Sequence, residues 1–188
     1  MSIKVDHVVD AKGLACPMPV VKTKKSMDEL EPGQVMLLEA TDRGSLADVK
    51  GWAKNTGNQY LGSKEEGDVL YHYLRKSDES ETIEVKDYEH IVDNDTLKTK
   101  MNENNIQVVD VREPAEYAFS HIPGAYSIPL GELEDRLSEL DADKETYVVC
   151  RTGNRSNMAS LTLTEQGFEN VWNVKPGMTE WDGPTEEG

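Results

Sequence analysis

Apolar positions change their period several times along the first seventy-odd residues, and each change marks an element. Val5–Asp10 has strand character. Pro17–Leu30 then carries Val20, Val21, Lys24, Met27 and Leu30 at helical spacing, and Gly33 closes that helix. Val35–Ala40 is an apolar, strand-like run. Ser45 is placed to cap a second helix bearing Leu46, Val49, Trp52 and Ala53, which Gly57 ends. Gln59–Gly62 and Val69–Arg75 complete a small sheet. The expected order is β-α-β-α-β-β, a two-layer sandwich with Trp52 and the tyrosines in its core.

The second half alternates strand and helix more insistently. Ile106–Val111 and Thr146–Val149 are β-branched runs that lead directly into polar turns. Helical stretches are expected at Pro114–Phe119, Leu130–Leu140 and Ser156–Gln166, and Asn170–Val174 reads as a further strand. That order predicts a three-layer α/β/α unit, a mostly parallel sheet with helices on both faces. In such sheets, sites form at the carboxyl ends of the strands.

Charge divides the chain at the same place as pattern. Residues 1–76 balance 11 Lys/Arg against 11 Asp/Glu, whereas the remainder holds 9 against 25 and carries the whole net charge of −16. Ser77-Asp78-Glu79-Ser80-Glu81-Thr82 is acidic and lacks apolar periodicity. The expected organisation is a domain at 1–76, an acidic linker at 77–87 and a second domain at 88–188. About ten flexible residues span roughly 15–20 Å, which keeps the two halves in mutual reach. Strong nonspecific nucleic-acid binding is not expected, because it needs clustered cations. No apolar run approaches the roughly 18–20 residues that cross a bilayer, and the first residues lack a signal-peptide layout. A soluble, cytoplasmic protein is the expectation.

Two cysteines, far apart, do not make a disulfide framework. Cys150 ends the strand Tyr147-Val148-Val149 and is followed by Arg151, Thr152, Gly153, Asn154, Arg155 and Ser156, where a helix begins. Backbone amides and a helix N-terminus converge at such a place, and they favour a negative charge. Gly153 permits the backbone to curl, and Arg151 and Arg155 add positive charge. These surroundings lower a thiol pKa and supply thiolate, which attacks the outer sulfur of thiosulfate or a persulfide. Asp110 and Arg112, at a strand end, are expected to pair with each other or with nearby loops, and His121 to serve a turn. The four histidines show no zinc-ligand spacing with cysteines or carboxylates.

Asp110-Val111-Arg112-Glu113 with Glu116-Tyr117, then His121-Ile122-Pro123-Gly124-Ala125, then the Cys150 loop, match a pattern in order and spacing. Over nearly its whole length the second half resembles a single-domain rhodanese. The resemblance implies that Cys150 is the nucleophile and forms a persulfide, and that Arg151 to Ser156 form the loop that holds it. Cys150 to Arg155 is a C-x4-R spacing, the sulfur-handling size in this superfamily. Related phosphatases add one residue, and that position here is Ser156, which lacks a guanidinium to clamp phosphoryl oxygens. Rhodaneses commonly carry a Gly-Gly-Met-type turn near the end, whereas this chain has Pro176-Gly177-Met178 before Trp181.

Gly13-Leu14-Ala15-Cys16-Pro17-Met18-Pro19 precedes the first helix, and proline fits the first helical position. Cys16 is therefore expected at or near the N-cap, facing the positive end of the helix dipole. With Asp10, Gly33 and Thr41-Asp42, the Cys16-Pro17-x-Pro19 signature resembles the TusA family of small sulfur carriers over residues 5–76. The resemblance implies that Cys16 accepts a persulfide sulfur and passes it on. The two resemblances together imply a sulfurtransferase with catalytic Cys150 and Cys16 and no cofactor beyond the cysteine persulfide itself. They also imply a small sulfur donor, a thiol acceptor and sulfur-relay protein partners. A module of another class, one that holds sulfur or docks partners without turnover, would share these features.

Overall fold

The computed structural model describes residues 3–78 and 87–188. Its residues cluster into two compact units, Met1–Asp78 and Glu79–Gly188. Most of the expected linker, at 79–86, lies outside the described residues.

In the first unit β1 (His7–Ala11) pairs in parallel with β2 (Val35–Ala40), β4 (Val69–Arg75) runs antiparallel to β2, and β3 (Gln59–Glu66) flanks β4. The sheet order is β1-β2-β4-β3. Strand side chains alternate between faces, so Val9, Ala11, Met36, Leu38 and Leu74 are buried in one cluster while Val8 is exposed. Two helices cover that cluster, α1 (Met18–Glu29) and α2 (Ser45–Thr56). α1 buries Pro19, Thr23 and Met27; of the expected stripe, Met27 and Leu30 join the core and Val20 packs against it, whereas Val21 and Lys24 are exposed. Ser45 is not the cap of α2. Gly44 holds that position, and Ser45, buried, bonds His72 Nε2 through its hydroxyl at 2.9 Å. A left-handed Gly57 (φ 75°) ends α2 as the pattern predicts.

The second unit contains β5 (Ile91–Val92), α3 (Asn94–Lys100), β6 (Ile106–Asp110), α4 (Pro114–Phe119), β7 (Tyr126–Ser127), β8 (Glu145–Val149), α5 (Asn154–Glu165) and β9 (Val171–Val174). Its sheet has the order β5-β9-β8-β6-β7, with every pairing parallel. Val109 and Val148 face a core closed by Ala159 and Leu163 of α5, whereas Val108 and Tyr147 face one closed by Leu97 of α3 and Tyr117 of α4. A fully buried central strand with helices on both sides is the three-layer arrangement that alternating strands and helices predict.

Leu130–Leu140 is not one α-helix. It forms two 3-10 segments, Leu130–Glu132 and Glu134–Glu139. Leu130 N is tied to Val111 O, and Leu133, Arg136 and Leu140 each bond the carbonyl three residues back. The tighter winding still delivers Leu133 and Leu140 to the core below α5. β5, α3 and β7 had no counterpart in the sequence reading. A strand of two residues shows no period, and α3 buries only Asn94 and Leu97.

Candidate functional site

The β-branched run of β8 carries the chain up through the centre of the sheet and ends at Val149, so Cys150 leaves the carboxyl end of a strand flanked by β6 and β9. Gly153, with φ 103°, turns the loop into α5 and stands at its N-cap. Its N–H donates to Cys150 Sγ at 3.1 Å, so the sulfur accepts an amide at the amino end of a twelve-residue helix. Cys150 is 1% exposed. Its sulfur also lies 3.4 Å from the Ser156 hydroxyl. That hydroxyl donates to Asn173 Oδ1 at 2.6 Å, and Asn173 Nδ2 donates to Gly153 O at 3.2 Å. With its one hydrogen given to Asn173, the Ser156 oxygen is left to accept from the thiol. The cradle thus offers the sulfur both a donor, the Gly153 amide, and an acceptor, the Ser156 hydroxyl.

The turn at Pro176-Gly177-Met178 packs against this loop. Met178 N and Thr179 N donate to the Cys150 and Arg151 carbonyls, each at 2.9 Å. A Cβ on Gly177 would stand 2.4 Å from the Cys150 carbonyl oxygen, and the residue has φ 86°, so only glycine fits. Buried Asn94 holds Gly177 through both its N–H and its carbonyl. The loop floor is therefore built by the residues at the one point where the chain departs from the usual rhodanese turn.

Arg155 is placed differently from the simple expectation of added positive charge. Its two terminal nitrogens bind the Glu116 carboxylate at 2.8 and 3.0 Å, and the Glu116 side chain is wholly buried. Glu116 also takes the Glu113 N–H, closing a capping box on α4. The guanidinium charge is balanced by a carboxylate, and the pair ties α4 to the start of α5. Arg151, Thr152 and Asn154 are half-buried around the loop, and Gly153 and Ser156 are buried. Asp110 and Arg112 form the expected internal pair, at 2.9 and 2.6 Å, with Arg112 also reaching Ser120 O. His121 bonds the Tyr117 carbonyl and Glu186 and stacks on Tyr117. Asn173, Asn94 and the supporting role of Glu116 were not foreseen, and no local spacing announces them.

Cys16 contrasts with Cys150. It is exposed. Pro17, not Cys16, is the N-cap of α1, and the groups around the thiol are acidic. Cys16 Sγ donates to Asp48 Oδ2 at 2.7 Å, and Cys16 N donates to Asp42 Oδ2 at 2.8 Å. The other Asp42 oxygen receives Gly44 N, and Thr41 Oγ1 receives Gly13 N, so two tethers join the Cys16 loop to the turn before α2. The Asp48 hydrogen bond, then loss of solvation, then the charges of Asp48 and Asp42 push the thiol above its ordinary pKa. The expected dipole effect is outweighed by two carboxylates from a distant part of the chain. Among the described residues, no helix is long and apolar enough to cross a membrane.

Two family models match the chain, Sulfurtransferase TusA over residues 7–76 and Rhodanese-like domain over residues 93–183. The chain is 48% identical over 185 residues to YrkF of Bacillus subtilis (strain 168), provisionally named a sulfur carrier protein, covering 98% of this chain and 100% of that protein. The sulfur carrier protein TusA of Allochromatium vinosum is 43% identical over 72 residues, which are 38% of this chain and 95% of that protein. In structure, a rhodanese-like domain protein from Staphylococcus aureus is similar, with TM-score 0.50 and 32% identity over 53% of this chain and 98% of that one. With a strand-end cysteine loop in one unit, an exposed Cys-Pro-x-Pro thiol in the other, and a relative matched from end to end, the chain belongs to the sulfur carrier and sulfurtransferase family that joins a TusA domain to a rhodanese domain.

Proposed function

We propose that Cys150 takes sulfane sulfur from thiosulfate or a low-molecular-weight persulfide, and that Cys16 receives it and delivers it to an acceptor thiol. The observation that carries this reading is the pairing of environments. One sulfur is buried against the amide at the head of α5, and the other is exposed. A buried sulfur suits a small donor and shelters the bound persulfide, and an exposed one suits delivery to a bulky partner. Persulfide exchange is thiolate attack on a sulfur–sulfur bond, so it calls for access and thiols and for no metal or organic cofactor. Tethering raises the effective concentration of one thiol at the other to the millimolar scale where the geometry lets them meet. The partners are sulfur-relay proteins in a reducing cytoplasm.

Intact-mass measurement with peptide mapping after thiosulfate treatment tests the reading on the wild type, Cys150→Ser and Cys16→Ser. One added sulfur that dithiothreitol removes marks a persulfide, and a mass gain that resists reduction marks overoxidation. Cys150→Ser should abolish loading of Cys16 from thiosulfate. Unchanged loading would overturn the relay.

The burial of Cys150 also favours a second reading, a module that retains sulfur or docks partners without turnover. Steady thiocyanate production from thiosulfate and cyanide, lost in Cys150→Ser, separates the two.

A further inference from the structure

The Cys16 thiol is built into a pair with a carboxylate. Its S–H points at Asp48 Oδ2, 2.7 Å away, from a loop that Asp42 and Thr41 hold in place through the Cys16 and Gly13 amides. Asp48 lies in the first turn of α2. The neighbouring cations are engaged elsewhere. Lys12 is tied to Asp10 and Glu39, Lys22 to the Asp10 carbonyl, and Arg43 to Glu65. The charges that act on the thiol are therefore those of Asp48 and Asp42, and both push its pKa up. A sulfur carrier must nevertheless attack as a thiolate.

The geometry points to Asp48 as the catalytic base that takes the Cys16 proton as the sulfur attacks. This rests on the reading of Cys16 as a sulfur acceptor and adds the residue that makes attack feasible without a standing thiolate. The step balances without an oxidant or reductant. As the Cys16 sulfur bonds to the outer sulfur of a persulfide RS–SH, its proton passes to Asp48. The donor's S–S bond breaks, its electron pair leaves on the donor thiolate, and that thiolate takes the proton back from Asp48. The products are Cys16–S–SH and RSH. Asp42 is a positioning residue. It accepts the Cys16 and Gly44 amides and so keeps the thiol over α2. A proton acceptor already hydrogen-bonded to the nucleophile needs no reorganisation.

The test uses the full chain carrying Cys150→Ser, in which Cys16 is the remaining thiol. Loading by cysteine persulfide is followed by quenched intact mass between pH 5.5 and 9, alone and with Asp48→Asn, each rate being divided by the fraction of donor present as RS–SH. With Asp48 present, the rate should stay level across neutral pH and fall in heavy water, as proton transfer to a positioned base requires. With Asp48→Asn, the rate should climb tenfold per pH unit towards the thiol pKa and lie at least about tenfold lower at pH 6. A tenfold-per-unit climb in the Asp48 protein itself, with no solvent isotope effect, overturns the proposal even if the asparagine variant proves unstable. No persulfide on Cys16 at any pH defeats the sulfur-acceptor reading instead.

Discussion

The guanidinium of Arg155 and the buried carboxylate of Glu116 meet through two hydrogen bonds, and this contact fastens the cysteine loop to the opposite side of the sheet. α4 carries Glu116 and packs on one face, while Arg155 opens α5 on the other. Its geometry is that of a forked, charge-assisted pair.

Breaking that contact should cost more than a surface ion pair would. Glu116→Ala takes away the carboxylate facing a largely buried cation, a loss of the order of 3–5 kcal/mol, about what breaking a buried pair costs. Urea unfolding of the second unit should show a clearly lower midpoint, and sulfur loading at Cys150 should fall with it. A midpoint within error of the wild type would show that the pair is dispensable.

Gly177 and Gly167 separate steric contact from backbone strain. Both have positive φ, 86° and 96°, but a Cβ at Gly167 meets nothing within 4 Å, whereas at Gly177 it meets the Cys150 carbonyl. Gly167→Ala should cost about 1–2 kcal/mol and leave loading at Cys150 intact. Gly177→Ala should cost more and abolish loading, since the carbonyl it displaces belongs to Cys150 itself. Equal effects on loading would show that the turn does not shape the cradle.

Acid should weaken the first unit through His72. Its ring is buried between the Ser45 hydroxyl on Nε2 and the Tyr60 hydroxyl on Nδ1, and burial pushes its pKa below the ordinary value of 6.5. Well above pH 7 neither the folded nor the unfolded form is protonated there. Below 6.5 the unfolded chain binds a proton that the folded unit refuses, so stability falls until the lower, folded pKa is reached. The limiting slope is about 1.4 kcal/mol per pH unit for one proton. His72→Gln should flatten the urea midpoint between pH 6.5 and 5.5. A slope unchanged by the substitution would assign the acid sensitivity to another group.

Donor choice at Cys16 should follow its charge. Thiosulfate is a dianion, and the Asp48 and Asp42 carboxylates beside the thiol oppose its approach. In Cys150→Ser, Cys16 should load from cysteine persulfide but hardly from thiosulfate. Raising the salt concentration, which screens exposed charges, should narrow the gap. Ready loading from thiosulfate at low salt would remove the carboxylates from donor selection.

Legibility in the sequence depended on range. The Cys150 loop could be read because strand end, glycine and helix start are consecutive, and a left-handed Gly153 then brings its own amide to the sulfur three residues back. The partners that set the state of each site lie far along the chain. Arg155 meets Glu116 across 39 residues, and Cys16 meets Asp42 and Asp48 across 26 and 32. An N-terminal proline signalled a helix start at Cys16, but nothing adjacent signalled the acids. The Leu130–Leu140 stretch shows the same limit. Its leucines mark a buried face, while the bond from Leu130 to Val111 selects tighter turns.

From its sequence alone, the chain was determined as two α/β units, each with one cysteine ahead of a helix, because periodicity, glycine placement and charge are local properties; the sulfur-handling expectation came with the motif resemblances. Tertiary structure decided what surrounds each thiol. It gave Cys150 a buried cradle floored by Gly177 and an arginine already neutralised by Glu116, and it gave Cys16 an open surface and a carboxylate for its proton. Electrostatic environment is a sum over neighbours in space, and folding chooses those neighbours from remote stretches of chain.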